Sequence, residues 1–554
     1  MNLSRRSFAK LAGCSVAAAS LASVLSACAG ESGSSASGST ASSSSASGST
    51  ASGASTSGVV GTEAGEQVIV AISAGSEPEG GFDPALNWGC GEHMHEPLIQ
   101  STLVRTDADL NIINDLATGY EVSSDGLTWE FTIRDDVVFS DGEPLTAEDV
   151  AFTFSTIASS EASEADLSMV AEAVATSPTT VELHMSRPYN ALLYLLAVVG
   201  ILPKHAYSQD YGYHPIGSGR YLLEQWDQGQ QAIFAANPLY YGQAPKIGRV
   251  VVLFMEEDAS MAAALSGQVD LAFTSATLAG NVPDGYEVLS CKSVDSRGLS
   301  LPVVPLDGDR GNDVTCNLEI RRAINMGVDR DRFVNNVLNG YGTVAYSVGT
   351  GMPWYSDDME VEYDPEAATA LLEGAGWSKG ADGIYEKSGQ RASIDVFYMS
   401  SDSVRQAIAL EFGNQMAEIG IEVKASGMSW DDLSPHMYTT PAVWGFGSNA
   451  PFEIYSLYHS EGGFNCACYE NAVVDSYMDE ALATSTLEES FPLWQKAQWD
   501  GRGGIAPKGD APWVWLANID HLFFQRDGLT VAAQKPHPHG HGWSVLNNVD
   551  EWSW

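Results

Sequence analysis

The sequence predicts a mixed α/β protein with at least two hydrophobic cores, and three observations carry that prediction. Short β-branched runs such as "EQVIVAIS" and "KIGRVVVLFM" alternate with helical stretches, giving the order strand, helix, strand. A body of roughly 490 residues follows a low-complexity leader, whereas single cores stop growing near about 250–300 residues. No apolar span of about twenty residues interrupts the body, so a channel or permease is excluded.

Taken in order, the chain opens with "MNLSRRSFAKLAGCSVAAASLASVLSAC", a basic start and a small-residue apolar run too short to span a membrane. Residues 1–27 read as a signal peptide. Arg5 and Arg6 resemble a twin-arginine export signal, and "LSAC" resembles a lipobox whose Cys28 becomes the lipidated first residue. Residues 28–66 are almost wholly Ser, Ala, Gly and Thr, which bury too little apolar surface to offset ordering entropy, so they read as a flexible tether. The expected location is the extracytoplasmic face of the cell membrane, held by lipid.

"EQVIVAIS" is a buried strand. Leu127, Trp129, Phe131 and Ile133 alternate as a strand; Asp141-Gly142 turns the chain; Thr146 and Asp149 form a capping box before an apolar helical face. "TTVELHM" is a strand and "YNALLYLLAVVG" an apolar helix or buried segment. "GRYLLEQWDQGQQAIFAA" is a hairpin turning near Asp227 to Gly229. "KIGRVVVLFM", "DASMAAALSG" and "VDLAFT" give a strand, a helix ended at Gly267 and a strand. "LEIRRAINMGVDRDRFVNNVLNG" gives two helices with Asp329 as the cap between them. "RASIDVFYMS", the helix closed by Gly420 and "IEVKASGM" repeat strand, helix, strand, and "PWVWLANIDHLFFQRDG" returns to strand character.

Without residues 1–27 the formal charge is 24 minus 71, or −47. Such a surface repels nucleic acid and anionic lipid and suits a solvated protein outside the cytoplasm. There is no phosphate-binding GxxxxGKS/T loop or HExxH pair, so binding rather than catalysis is the expectation. The body's five cysteines are an odd number; Cys291 with Cys316 is the preferred disulfide, with connectivity open. Two histidine clusters stand out. "CGEHMHE" carries Cys90, His93 and His95, and "HPHGHGW" carries His537, His539 and His541. Such nitrogen and sulfur donors suit Zn, Ni or Cu. Inert thiols and loop histidines are the alternative. Pro538, Gly540 and Gly542 make the second cluster an extended loop rather than a central strand.

Four ordered blocks resemble the bacterial solute-binding protein family 5, the peptide-, dipeptide- and nickel-binding components of ABC importers. They are "DLATGYEVSSDGLTWEFTIRDDVVFSDGEPLTAEDVAFTF", "HPIGSGRYLLEQWDQGQQAIFAANPLYYGQAPKI", "IRRAINMGVDRDRFVNNVLNGYGTVA" and "YENAVVDSYMDEALA". The resemblance implies a two-lobe periplasmic-binding-protein-like fold with a hinge, mixed sheets and an extra subdomain in lobe I. Lobe I is expected over 67–303, lobe II over 304–517 and a return to lobe I over 518–554. Crossings are expected near Leu301 to Leu306 and Leu516 to Leu522. It implies solute capture in the cleft by a monomer that catalyses nothing, requires no cofactor, and delivers to an ABC permease with its ATPase subunits.

A peptide or peptide-like solute is the leading expectation; nickel or another transition metal, free or chelated, is the alternative, with Ni or Zn as ligand rather than cofactor. A tethered sensor without transport is a third reading. Peptide-binding members place an aspartate after a late tryptophan strand. Here that region is "VWGFGSNAPFEIYSLYHS", so Trp444, Phe446, Ser448, Asn449 and Glu453 are the expected solute contacts, with Glu453 as the nearest carboxylate. The resemblance also brings the two histidine clusters to the same lobe, where they are expected to meet.

Overall fold

In the computed structural model, which describes residues 67–86, 89–90, 93–160, 163, 165, 167–540 and 542–554, the run Gln67–Ser73 is the central strand of a seven-stranded mixed sheet. The signal segment, Cys28, the tether, His541 and the side chains of Cys90 and His93 lie outside the described residues. The central strand pairs in parallel with Arg249–Met255 and Leu271–Thr274. Val68, Val70 and Ile72 are fully buried, as a strand covered on both faces requires. On one side the sheet ends in the hairpin Tyr221–Asp227 and Gln231–Ala236, whose turn places Gly229 at φ +74°. On the other side His521–Arg526 inserts between Leu271–Thr274 and Tyr286–Cys291. The C-terminal residues Trp543 and Trp552 pack beneath this sheet with Phe82, Phe234 and Val252.

A second, antiparallel sheet is built from Ala117–Val122, Thr128–Ile133, Thr180–Met185 and Val170–Ser177, and the helix Ala147–Ser159 packs on it. The capping box forms as read. Thr146 caps the helix, and its backbone N–H donates to Asp149 Oδ2 at 2.9 Å. Thr146→Ala is expected to cost about 1 kcal/mol, read as a lower urea midpoint without a change in solute binding.

The third sheet runs Gly342–Val344, Trp513–Ile519, Ser296–Ser300, Val443–Phe446. Alternation divides its side chains between two cores. Leu299, Val443, Val514 and Leu516 face a core with Ile320 and Phe412, while Trp444, Phe446, Trp513 and Trp515 face the core shared with Phe131 and Leu183. Beside it, Ser393–Met399 and Glu422–Met428 pair in parallel around the helix Ser403–Glu418, the strand, helix, strand unit expected there. Among the described residues no helix is long and apolar enough to cross a membrane.

The chain passes from the seven-stranded sheet to the third sheet over residues 292–295 and back at Asp520. The first passage precedes the strand Ser296–Ser300, ahead of the expected 301–306, because that strand already pairs with Val443–Phe446 and Trp513–Ile519. Cys291 and Cys316 are not bridged. Both are free thiols, Cys291 buried in the strand Tyr286–Cys291 and pushed up to about 12 by burial and Asp520, Cys316 donating to Asp313 O at 3.3 Å beside the helix Leu318–Gly327. Spacing suggested the pair, but the two thiols belong to different sheets' surroundings.

Candidate functional site

Asp295 stands at the end of the first passage and is almost fully buried. Three groups converge on it. Arg297 Nη1 and His539 Nδ1, the latter at 2.7 Å, reach Oδ1, and His521 Nε2 reaches Oδ2 at 3.0 Å. Burial alone would raise this carboxyl; Arg297, His539 and the hydrogen bond from His521 outweigh it and hold it well below the usual carboxylate range. With both oxygens filled, Asp295 is a pin for the passages rather than an open ligand group.

A chain of hydrogen bonds continues outward. His521 Nδ1 meets His537 Nδ1 at 3.1 Å, and His537 Nε2 meets Gln534 Oε1 at 3.1 Å. The Gln534 amide is oriented by its Nε2, which donates to Ala532 O and Asn548 Oδ1, so its Oε1 faces His537 as an acceptor. Acceptors at both ends, Asp295 and Gln534, leave three links to be filled by protons on two rings. Burial first, then His521, depresses His537 well below its ordinary value.

Of the first histidine cluster only the side chain of His95 is among the described residues, and it lies beside the segment that carries His537 and His539. His95 is buried against Gly540, where a Cβ would come within 2.5 Å of its ring, and burial with nearby His539 and His521 lowers it to about 3. Burial, outweighing Asp295, also lowers His539. Yet among the described residues no group of three or more His, Cys, Asp or Glu is arranged to hold a metal ion. The reason is visible at His537, both of whose ring nitrogens are engaged, and at His539, whose Nδ1–H is committed to Asp295.

Beside this cluster lies the predicted solute wall. Trp444 and Phe446 are both 6% exposed, with ring centroids 6.2 Å apart, and Phe446 meets Trp513 edge-on at 5.9 Å. Trp444 Nε1 donates to Ser300 Oγ at 3.2 Å. They are packed residues; the open aromatic is Trp430, 36% exposed and edge-on to Trp444 at 6.0 Å. Ser448 Oγ accepts from Ala450 N at 3.2 Å, and Asn449 Nδ2 donates to Pro536 O at 3.3 Å while its buried Oδ1 has no hydrogen bond among the described residues.

Charges of both signs border this loop. Glu453, in the first turn of the helix Phe452–Tyr458, makes no hydrogen bond or ion pair among the described residues; burial and then Asp295 push it up to about 7. Arg405, at the start of the helix Ser403–Glu418, has its Nε 3.4 Å from Asp402 but without hydrogen-bond alignment, and Arg297 Nε is likewise buried without a partner among the described residues. Both guanidiniums approach Gly445, where any Cβ would overlap Arg297 Nη1, Arg405 Nη2 and His539 Cε1. Asp295, Arg297 and Arg405 were not singled out from the sequence. The available signal was a charged pair in "SVDSRGLS" at the entry to an otherwise apolar strand.

"Bacterial extracellular solute-binding proteins, family 5 Middle" matches residues 111–465. Protein XP55 of Streptomyces lividans is 33% identical over 493 residues, covering 85% of this chain and 87% of its own. The oligopeptide-binding protein AppA of Bacillus subtilis is 28% identical over 432 residues, covering 71% and 77%. Among solved structures, NikZ from Campylobacter jejuni in complex with Ni(L-His) superposes with a TM-score of 0.77 at 25% identity, covering 88% of this chain and 99% of that one.

Proposed function

The chain belongs to the family 5 bacterial extracellular solute-binding proteins, the substrate-binding components of ABC importers, and from that premise we propose that its solute is a peptide or peptide-like zwitterion. The observation that carries the reading is the pairing of chemistries around residues 445–453: Glu453 without a partner for an ammonium, and the under-paired guanidinium of Arg405 for a carboxylate. Trp430 offers apolar surface at the rim. Arg405 Nε is buried without a hydrogen bond among the described residues, and a solute carboxylate that matches it recovers part of that cost. The name of AppA, an oligopeptide-binding protein, supports the same class.

The receptor in this reading is a monomer, carries no catalytic machinery and needs no cofactor. It is anchored through lipidated Cys28, with the Ser/Ala/Gly-rich tether giving reach to an ABC permease and its ATPase subunits. Calorimetry with defined tri- to pentapeptides and their N-acetylated forms tests it. Acetylation is expected to weaken binding at least about tenfold; equal affinity for both forms overturns the role of Glu453.

A metal chelate is the second reading, favoured by the gathering of His95, His521, His537 and His539 beside the same loop and by the likeness to NikZ bound to Ni(L-His). For a metal to bind there, the proton links at His537 or His539 must break. Elemental analysis of gently purified protein, with and without added nickel and histidine, decides between the two.

A further inference from the structure

We propose that residues 535–540 form a third hinge strand, a strap that holds the cleft closed before any solute arrives. The two covalent passages, 292–295 and Asp520, are continuous chain between the two sheets. The terminal segment is built differently. At both ends it is fastened to the lobe of the seven-stranded sheet: Lys535 Nζ bonds Thr106 Oγ1 at 2.7 Å and pairs with Glu96, and beyond Gly540 the chain is held by buried Trp543 and Trp552.

Between those anchors it lies along the first passage. His537 N donates to Lys292 O and His537 O accepts from Val294 N, each at 2.9 Å, so Ser293 and His537 pair in parallel. It then reaches the opposite lobe. His539 N donates to Gly447 O at 2.8 Å, and Asn449 Nδ2 donates to Pro536 O at 3.3 Å, both in the loop that follows the strand Val443–Phe446.

The loop 447–449 therefore hangs by two non-covalent bonds on a segment fixed to the other lobe. Opening the cleft must break those bonds or drag the strap off its anchors. An arrangement that carries the loop away from the strap forfeits both contacts, and that difference is the free energy a conformational bias requires. Glycine is required where the strap meets its neighbours, because a Cβ at Gly447 would overlap the Val294 carbonyl and one at Gly540 would overlap His95.

The inference rests on the receptor reading only for the existence of a hinged cleft, and its test uses solute-free, chelator-treated protein, so the identity of the solute does not enter. Spin labels are placed through keto-bearing residues at exposed positions 224 and 366, one on each lobe, and interlobe distances are read by double electron–electron resonance. His539→Pro, which removes the N–H that reaches Gly447, is expected to broaden and lengthen the distribution. A distribution superimposable on the native one overturns the proposal. Should that variant fail to fold, the pair Asn449→Cys with Pro536→Cys decides: the oxidised form, confirmed by mass spectrometry, is expected to give a narrow short distance that lengthens on reduction. Identical distributions in both redox states overturn it.

Discussion

Asp295→Ala is expected to cost about 3–5 kcal/mol, the usual penalty for breaking a buried ion pair by removing one partner. Arg297 is left buried with its nearest counter-charge gone, His539 Nδ1 loses its acceptor, and His521 Nε2 loses its carboxylate partner. Because both passages meet at this carboxylate, with Ile519 N also donating to Asp295 O at 2.9 Å, the damage falls on the hinge rather than on one lobe. Urea unfolding is expected to split into two transitions where the native protein shows closer coupling. The pH dependence carries a sign. A carboxyl held below its unfolded value of 3.8 contributes stability that is full above that value and is lost as pH falls through the lower folded one. The native protein should therefore lose stability in strong acid over an interval where Asp295→Ala is flat. Asp295→Asn keeps the shape and loses the charge, so its stability cost should be smaller than that of Asp295→Ala while its profile in strong acid is equally flat.

The strands and helices were legible because each is written locally. The capping box at Thr146 and Asp149, the Gly267 and Gly420 exits and the hairpin turn at Gly229 depend on neighbours a few residues away. The passages were not legible for the opposite reason. "PWVWLANIDHLFFQRDG" is one apolar run, yet Ile519 ends a strand of one sheet and His521 begins a strand of another. Period-two alternation continues through the break and cannot report a change of partner. The same blindness produced the Cys291–Cys316 pairing, since neither compartment nor spacing says which sheet a thiol sits beside. The site was half legible. Residue types drew attention to the histidines and to Glu453, and the family blocks brought the two histidine segments together. Whether those histidines are metal donors depends on protons, and the proton links through Gln534, His537, His521 and Asp295 become countable only once the acceptors at both ends are known. Arg405 escaped notice because an arginine near a helix start is ordinary on a surface; its burial is what sets it apart.

Glu453→Gln is expected to weaken peptide binding by about 1.5–3 kcal/mol, roughly 10- to 150-fold, the range for losing a hydrogen bond to a charged group, while leaving the fold intact. Its pH behaviour separates this role from a merely structural one. Burial and Asp295 raise the carboxyl from 4.5 to about 7. An ammonium-bearing solute binds the ionised form, so native affinity should climb about tenfold per pH unit up to about 7 and then level off; the glutamine variant should be flat. Stability should move the other way. Between pH 4.5 and 7 the folded protein retains a proton that the unfolded chain has released, so the solute-free native protein loses stability as pH rises through that window. Glu453→Gln lacks this loss, and its thermal midpoint should exceed the native one above pH 7 and match it near pH 4. A variant weaker in binding but more stable at neutral pH is what a charged group held ready for a solute produces. Equal stability at both pH values, with peptide affinity unchanged, would remove Glu453 from the site and leave the metal-chelate reading as the stronger one.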